Sequence, residues 1–298
     1  MPPLPNPGDL RPARTLEHLA DLAPAYDGFL IDQWGVLHDG QQAYPGALDC
    51  LRALKAAGKI VIIASNSGKR AEANARRMAR LGFDVGAYDD LVTSGEVAWH
   101  VLTEPRAPAY WALGHRCLVL AGDEGASLLD GLPIEVVTEP EQAQFVLLAS
   151  IGEHEGISRY AGVLNRALAR GLPLMCTNPD RVRLSRDGTV PAVGALAHEY
   201  EKMGGTVRFI GKPHPEIYDY ARLRFARHGA SRVLAIGDSL QHDVRGGQEA
   251  GLDTLFIRDG IFRERFAALP TEQHATLLAS LAQRYDASPD WVMPLLRW

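Results

Sequence analysis

A repeated alternation of short, wholly apolar runs with longer amphipathic ones does most to limit what this chain can fold into. Gly28–Asp32 (GFLID) and Lys59–Ala64 (KIVIIA) are too short for helices and apolar at nearly every position. That is the pattern of strands covered on both faces. Between them, Pro45–Ala57 carries Leu48, Leu51 and Leu54 at helical spacing, and Gly58 closes it. An arginine-rich helix over Arg70–Leu81 follows, closed by Gly82. The same grammar returns late in the chain: strand Val207–Ile210, helix Pro215–His228, strand Val233–Ile236, helix His242–Ala250 and strand Thr254–Ile257. Strands alternating with helices specify an α/β fold, a parallel sheet with crossover helices.

The middle of the chain has elements of its own. Strands are expected at Cys117–Leu120, Glu135–Val137, Phe145–Ser150 and Pro173–Thr177, and helices at Ser94–Leu102, Ile157–Arg170 and Val193–Met203. Asp187-Gly188 predicts a hairpin turn within 182–193. The last segment, 271–298, reads as a helix followed by an extended stretch, with Trp291 and Trp298 as packing groups. The proline-rich residues 1–14 read as a flexible lead-in without a signal peptide's apolar core. Apolar stretches such as 60–64 and 145–149 are far short of a membrane span. A soluble, cytoplasmic protein with no membrane contact is therefore expected.

A net charge of −5 gives no broad basic face, so nucleic acid is not an expected partner. An anionic ligand would have to be met by local cations. Cys50, Cys117 and Cys176 are odd in number and lack CxxC spacing, which predicts buried thiols and neither a disulfide frame nor a zinc site.

Four polar stretches follow directly on predicted strands, where open α/β sheets bind ligands. Asp32-Gln33-Trp34-Gly35 follows GFLI; that aspartate is placed to be a nucleophile or a metal ligand. Ser65-Asn66-Ser67 follows KIVIIA and offers a hydroxyl and an amide to a phosphate oxygen. Gly211-Lys212-Pro213 follows VRFI and offers a cation. Gly237-Asp238, with Asp243 five residues on, follows VLAI and can complete a site for a hard, oxygen-seeking cation.

Strand-Asp, strand-Ser, strand-Lys, strand-Asp in this order resembles the haloacid dehalogenase superfamily, from about residue 27 onward. The spacing refines the resemblance. The 33 residues from Asp32 to Ser65, and the 26 from Lys212 to Asp238, each hold about one helix and one strand. The 147 from Ser65 to Lys212 leave room for an inserted domain of roughly 110 residues. An insertion there is the layout of the subfamily of nitrophenylphosphatases and pyridoxal phosphatases. GVLHDG at Gly35, PGA at Pro45, TSGEVA at Thr93, CTNPDR at Cys176 and GKPHPEIY at Gly211 are similar to that group's local motifs.

The resemblance implies a Rossmann-like parallel-sheet core over 1–91 and 204–298, and an α/β cap domain over 92–203. It implies a Mg²⁺-dependent phosphatase of a small phosphorylated metabolite, working through an aspartyl-phosphate. Asp32 would be the nucleophile, with Ser65 and Lys212 on the phosphate oxygens. Asp32, the Trp34 carbonyl, Asp238 and Asp243 would hold the metal. Trp34, Asn66 and the cap loop Asn178, Asp180 and Arg181, with Arg183 beside it, would meet the substrate. A homodimer is compatible with the resemblance.

One residue departs from the pattern. The superfamily's phosphatases carry a second aspartate two residues after the nucleophile, as general acid and base; here that place holds Trp34. An indole N–H does not transfer a proton near neutral pH. Either activity is modest, or the leaving group needs no proton, or another residue supplies it, with His38, Asp39 and His242 as candidates. Trp34 itself is either an apolar plug or a platform for an aromatic substrate. Two other readings stay open: a degenerate phospho-metabolite-binding protein, and a dehalogenase. The dehalogenase branch carries an aromatic residue at this place. However, it inserts a helical cap soon after the first motif, where this chain has no room, and the pair Asp238 and Asp243 is of the metal-binding type.

Overall fold

The computed structural model describes residues 13–103, 113–121, 126–150, 157–185 and 188–298. Residues 1–12 of the proline-rich start and Asp187 of the expected turn lie outside them. The chain runs β1 (Arg14–Thr15), β2 (Gly28–Asp32), α1 (Ala47–Ala56), β3 (Ile60–Ser65), α2 (Ala71–Arg80), β4 (Asp90–Thr93) and α3 (Ser94–Thr103). Next come β5 (Arg116–Leu120), β6 (Glu135–Val137), β7 (Phe145–Leu148), α4 (Ala161–Ala169), β8 (Leu174–Cys176), β9 (Val182–Ser185), β10 (Gly188–Pro191), α5 (Val193–Lys202) and β11 (Val207–Phe209). The chain closes with α6 (Pro215–Arg227), β12 (Val233–Gly237), α7 (Arg245–Glu249), β13 (Asp253–Ile257), α8 (Arg263–Ala267), α9 (His274–Tyr285) and β14 (Trp291–Met293).

Contacts divide the chain into two compact units. One comprises 1–64, 75–91 and 218–298, the other 65–74 and 92–217. The first holds a seven-stranded sheet of order β1-β14-β13-β12-β2-β3-β4. β2 pairs in parallel with both β3 and β12, and β13 and β14 continue the parallel pairing. β2 and β12 are buried at every position, which their unbroken apolar sequences require. The strand order reverses between them, since β3 and β4 lie on one side and β13 and β14 on the other. The carboxyl ends of β2 and β12 are therefore the switch point of the sheet, where folds of this kind bind ligands.

α1 lies against this core through Ala47, Cys50, Leu51 and Leu54, while Leu48 is only half-buried. Its buried stripe thus sits slightly to one side of the leucine row. Trp291 is a packing group, edge-on to Tyr26 at 6.2 Å with the Arg14 guanidinium 4.7 Å from its ring.

The second unit holds a parallel five-stranded sheet, β11-β8-β7-β5-β6, and the antiparallel hairpin β9–β10. β11 is placed by sequence rhythm with the C-terminal strands. It pairs instead with β8, register Val207↔Leu174 to Phe209↔Cys176. Its three residues are half-buried or exposed, as suits an edge strand; the central strands of the large sheet are buried throughout. The core here is built on β5, β7, β8, α4 and α5, with Tyr200 fully buried at its base. The Tyr200 hydroxyl donates to the Leu172 carbonyl at 2.6 Å. Cys50, Cys117 and Cys176 are all free and buried, and burial pushes the Cys50 and Cys176 thiols up to about 12. No helix among the described residues is long and apolar enough to cross a membrane.

Removing the Tyr200 hydroxyl leaves a buried carbonyl without its donor while conserving volume. Tyr200→Phe is expected to cost about 1–3 kcal/mol, read as a lowered urea midpoint.

Candidate active site

Parallel pairing of β2 with β12 in the register Ile31↔Ile236 brings the next residues, Asp32 and Gly237-Asp238, to the same end of the sheet. After Asp238 the chain makes a π turn over Leu240–Val244 before α7 begins, where the sequence pattern suggests one continuous helix. The physical cause is local. Ser239 caps the turn by accepting the His242 N–H on its hydroxyl, and its carbonyl takes the N–H groups of both Asp243 and Val244. The wider turn directs Asp243 back toward the strand end, where its Oδ2 accepts the Ser239 N–H at 3.0 Å. π turns of this kind recur at functional sites.

Asp32, Asp238 and Asp243 are thereby brought together. Each is buried, and one oxygen from each lies within 4.8 Å of the others. Asp238 Oδ2 also accepts the Ile261 N–H at 2.7 Å. The chain makes room for this crowding with glycine. A Cβ on Gly35, whose φ is +79°, would sit 1.8 Å from Asp238 Oδ2. One on Gly260 would sit 2.2 Å from the same atom, and one on Gly237 2.0 Å from Asp243 Cγ. Three buried carboxylates in a shell that admits no side chain form a hard-oxygen donor set, which fits Mg²⁺ or Ca²⁺.

Residues 33–44 form a tight loop above β2. Its Leu37 and His38 N–H groups return to the Gln33 carbonyl, and Tyr44 N–H closes onto the Leu37 carbonyl. The Trp34 indole is held within this unit. The Arg77 guanidinium lies 4.5 Å from its ring and donates to the Gly40 carbonyl, and the His38 ring meets it edge-on at 5.0 Å. A Cβ on Gly40 would press against the far edge of the indole at 2.3 Å. These contacts favour the plug.

The candidate proton donors differ in state. Burial, with the Arg77 charge adding to it, pushes the fully buried His38 imidazole down to about 4, and its Nδ1 accepts the Gly40 N–H. Burial works to raise the Asp39 carboxyl, but the N–H groups of Gln42 and Gln41 outweigh it and hold the group below its usual range. Neither holds a proton it could give up near neutral pH. His242 is half-buried in the π turn, and its carbonyl accepts the Tyr218 hydroxyl. Sequence reasoning missed Tyr44. Burial and the charges of Asp238 and Asp39 push this half-buried phenol up, so it keeps its proton. Its place at the end of the loop is the sequence signal that could have found it.

The other expected site residues belong to the second unit. Ser65 ends β3, and its hydroxyl accepts the Ser67 N–H at 3.3 Å. Asn66, Asp180 and the 4% exposed Lys212 are brought together. Asn66 Oδ1 accepts the Lys212 N–H at 2.7 Å, and Asn66 Nδ2 donates to the Lys212 carbonyl at 3.0 Å and to Asp180 Oδ1 at 2.8 Å. Asn178 turns inward on its own loop, accepting the Asp180 N–H. Arg181 is exposed at the end of that loop. The side chain of Arg183 lies outside the described residues.

A parallel α/β sheet with acidic groups gathered at its switch point is a candidate site for a hard cation, and comparison with known proteins identifies the family that carries it. The sequence model of the haloacid dehalogenase-like hydrolases matches residues 29–135, and a HAD-hydrolase-like model matches 209–284. A haloacid dehalogenase-like hydrolase from Brucella suis is 32% identical, with a TM-score of 0.74 over 83% of this chain and 90% of that one. Human chronophin is 28% identical over 86% of this chain and 90% of its own length. Glycerol phosphate phosphatase from Mycobacterium tuberculosis, solved with magnesium, is 26% identical, with a TM-score of 0.66 over 80% of this chain and 69% of that one. The chain belongs to the haloacid dehalogenase-like hydrolase family.

Because a methyl group at position 35 collides with Asp238, Gly35→Ala should disturb the cluster without touching the sheet. Its affinity for Mg²⁺, read by titration calorimetry, is expected to fall by about 10- to 100-fold.

Proposed function

We propose that the protein is a Mg²⁺-dependent phosphoric monoester hydrolase acting on a small phosphorylated metabolite. The observation that carries this reading is the buried cluster of Asp32, Asp238 and Asp243 at the end of β2 and β12. The M. tuberculosis phosphatase, solved with magnesium and with calcium, supports it. Asp32, Asp238, Asp243 and the Trp34 carbonyl are the groups to hold the ion. When bound, Mg²⁺ supplies positive charge to the phosphoryl oxygens.

Asp32 attacks phosphorus in line, forming an aspartyl-phosphate as the bond to the leaving oxygen breaks. Lys212 and Ser65 take the roles their motifs imply, stabilising charge on the equatorial oxygens. Water then cleaves the acyl-phosphate bond, returning the Asp32 carboxylate and releasing inorganic phosphate. The segment 92–203 acts as the cap that selects the substrate.

Trp34 sets the limit of this chemistry. With an indole, which transfers no proton near neutral pH, two residues past the nucleophile, the leaving oxygen departs largely unprotonated. Esters of acidic alcohols are the substrates this suits. General acid help is worth about 10² to 10⁴ in rate, so p-nitrophenyl phosphate is expected to outrun a simple alkyl phosphate by a margin of that order.

Hydrolysis of p-nitrophenyl phosphate with and without Mg²⁺ tests the reading. Turnover should require the ion and vanish in Asp32→Asn. In Trp34→Asp, turnover of the alkyl ester is expected to rise relative to the aryl one. A wild type that binds Mg²⁺ and phosphate yet turns nothing over is instead a binding protein.

A further inference from the structure

Lys212 is the one buried lysine among the described residues, and its peptide is bonded to a side-chain amide 146 residues away in sequence. Asn66 brackets the Lys212 peptide, accepting from its N–H and donating to its carbonyl. This is the pairing a neighbouring strand would give, delivered by one residue. The second amide proton of Asn66 goes to Asp180 Oδ1. Asp180 in turn is set by the Asn178 side chain at its N–H and by the Gly194 N–H at its carbonyl. The backbone before Lys212 is equally confined. Gly211 has φ +123°, and a Cβ there would lie 2.2 Å from Ser94 Oγ, 2.8 Å from Asn66 Oδ1 and 2.9 Å from Pro179 Cδ.

We propose that Asn66 is a positioning residue that acts through Lys212, with Asp180 as the key that orients its amide, and that neither side chain meets the substrate. The inference rests on the phosphatase reading for what Lys212 does, but not for what holds it. Two hydrogen bonds from one amide to one peptide fix the lysine's Cα and the direction of its side chain. An Asn66 turned over would set its NH₂ against the Lys212 N–H and its oxygen against the Lys212 carbonyl. Asp180 forbids that flip, because its carboxylate accepts only from the NH₂ end.

A double-mutant cycle tests this, using the full-length protein with p-nitrophenyl phosphate kinetics in Mg²⁺ and orthophosphate binding by calorimetry. Asn66→Ala is expected to lower kcat/KM by about 10²-fold, the scale of an ångström-level misplacement, and to weaken orthophosphate. In a Lys212→Ala background the same change should move either quantity by less than about twofold. Asp180→Ala should reproduce part of the loss, and only while Asn66 is present. If the losses from Asn66→Ala and Lys212→Ala multiply, Asn66 touches substrate directly and the proposal is overturned. Orthophosphate binding unchanged in Asn66→Ala also overturns it. Should Asn66→Ala fail to fold, Asn66→Asp keeps the volume and the acceptor for the Lys212 N–H while losing both donated bonds, and the same non-additivity is required of it. A wild type without turnover sinks the phosphatase reading alone, since the calorimetric cycle still reports the coupling of Asn66 to Lys212.

Discussion

Three carboxylates held within 4.8 Å of one another at the end of two buried strands is the constraint from which much of the first unit's local structure follows. At that separation or less, each pair of unit charges repels by at least about 3.5 kcal/mol, even at an effective dielectric constant of 20. Burial adds the cost of lost hydration. The fold meets part of that cost with backbone N–H groups, from Ile261 to Asp238 and from Ser239 to Asp243. It keeps the groups close by giving up side chains at Gly35, Gly237 and Gly260. It accepts a π turn in place of a regular helix start so that Asp243 points back to the strand. Together they make sense as the housing of a hard cation, whose charge repays what the cluster costs.

The loop carrying Trp34 shows a different economy. The Trp34 indole is built into its loop, with Arg77 on the ring, His38 at its edge and Gly40 beneath its rim. His38 is kept neutral by the same burial and by the same Arg77 that holds the indole. Asp39 is fixed ionised by the turn it caps. Neither His38 nor Asp39 therefore holds a proton to give up near neutral pH. On the phosphatase reading proposed above, leaving-group acidity is then the quantity on which substrate choice should turn.

Much of this was legible in sequence, for definite reasons. Strand ends can be read from apolar runs, so Asp32 and Asp238 were located by where GFLI and VLAI stop, and Asp243 by its distance from Asp238. Buried thiols and the Trp291 packing role were legible because they depend on composition and local context. What was not legible depends on pairing between distant segments. β11 has the apolar rhythm of a core strand, yet its partner is β8, and three residues carry too little pattern to choose between sheets. The π turn was hidden because it arises from Ser239 and Asp243 bonding to one another's neighbourhood, which a helical periodicity cannot express. The arginine-rich helix gives no sign in sequence of which arginine meets Trp34; the loop places Arg77 on its ring. Asn66 looked like a ligand for phosphate because an amide after a strand can be one; its bonds instead run to Lys212 and Asp180.

The choice of asparagine at that place follows from the valence of its side chain. A serine could accept from the Lys212 N–H or donate to its carbonyl, but its single oxygen cannot span both. An aspartate could accept, but it would face the Lys212 carbonyl and the Asp180 carboxylate with oxygen against oxygen. Only a side-chain amide presents an acceptor and two donors in one rigid plane, and asparagine presents them on a shorter stem than glutamine, with one fewer rotatable bond. The carboxylate cluster and the lysine are thus fixed by opposite means: the first by removing atoms around charged groups that must be close, the second by adding a polar group that behaves as a piece of extra backbone. In both, the position of the charged side chain is set by the chain around it.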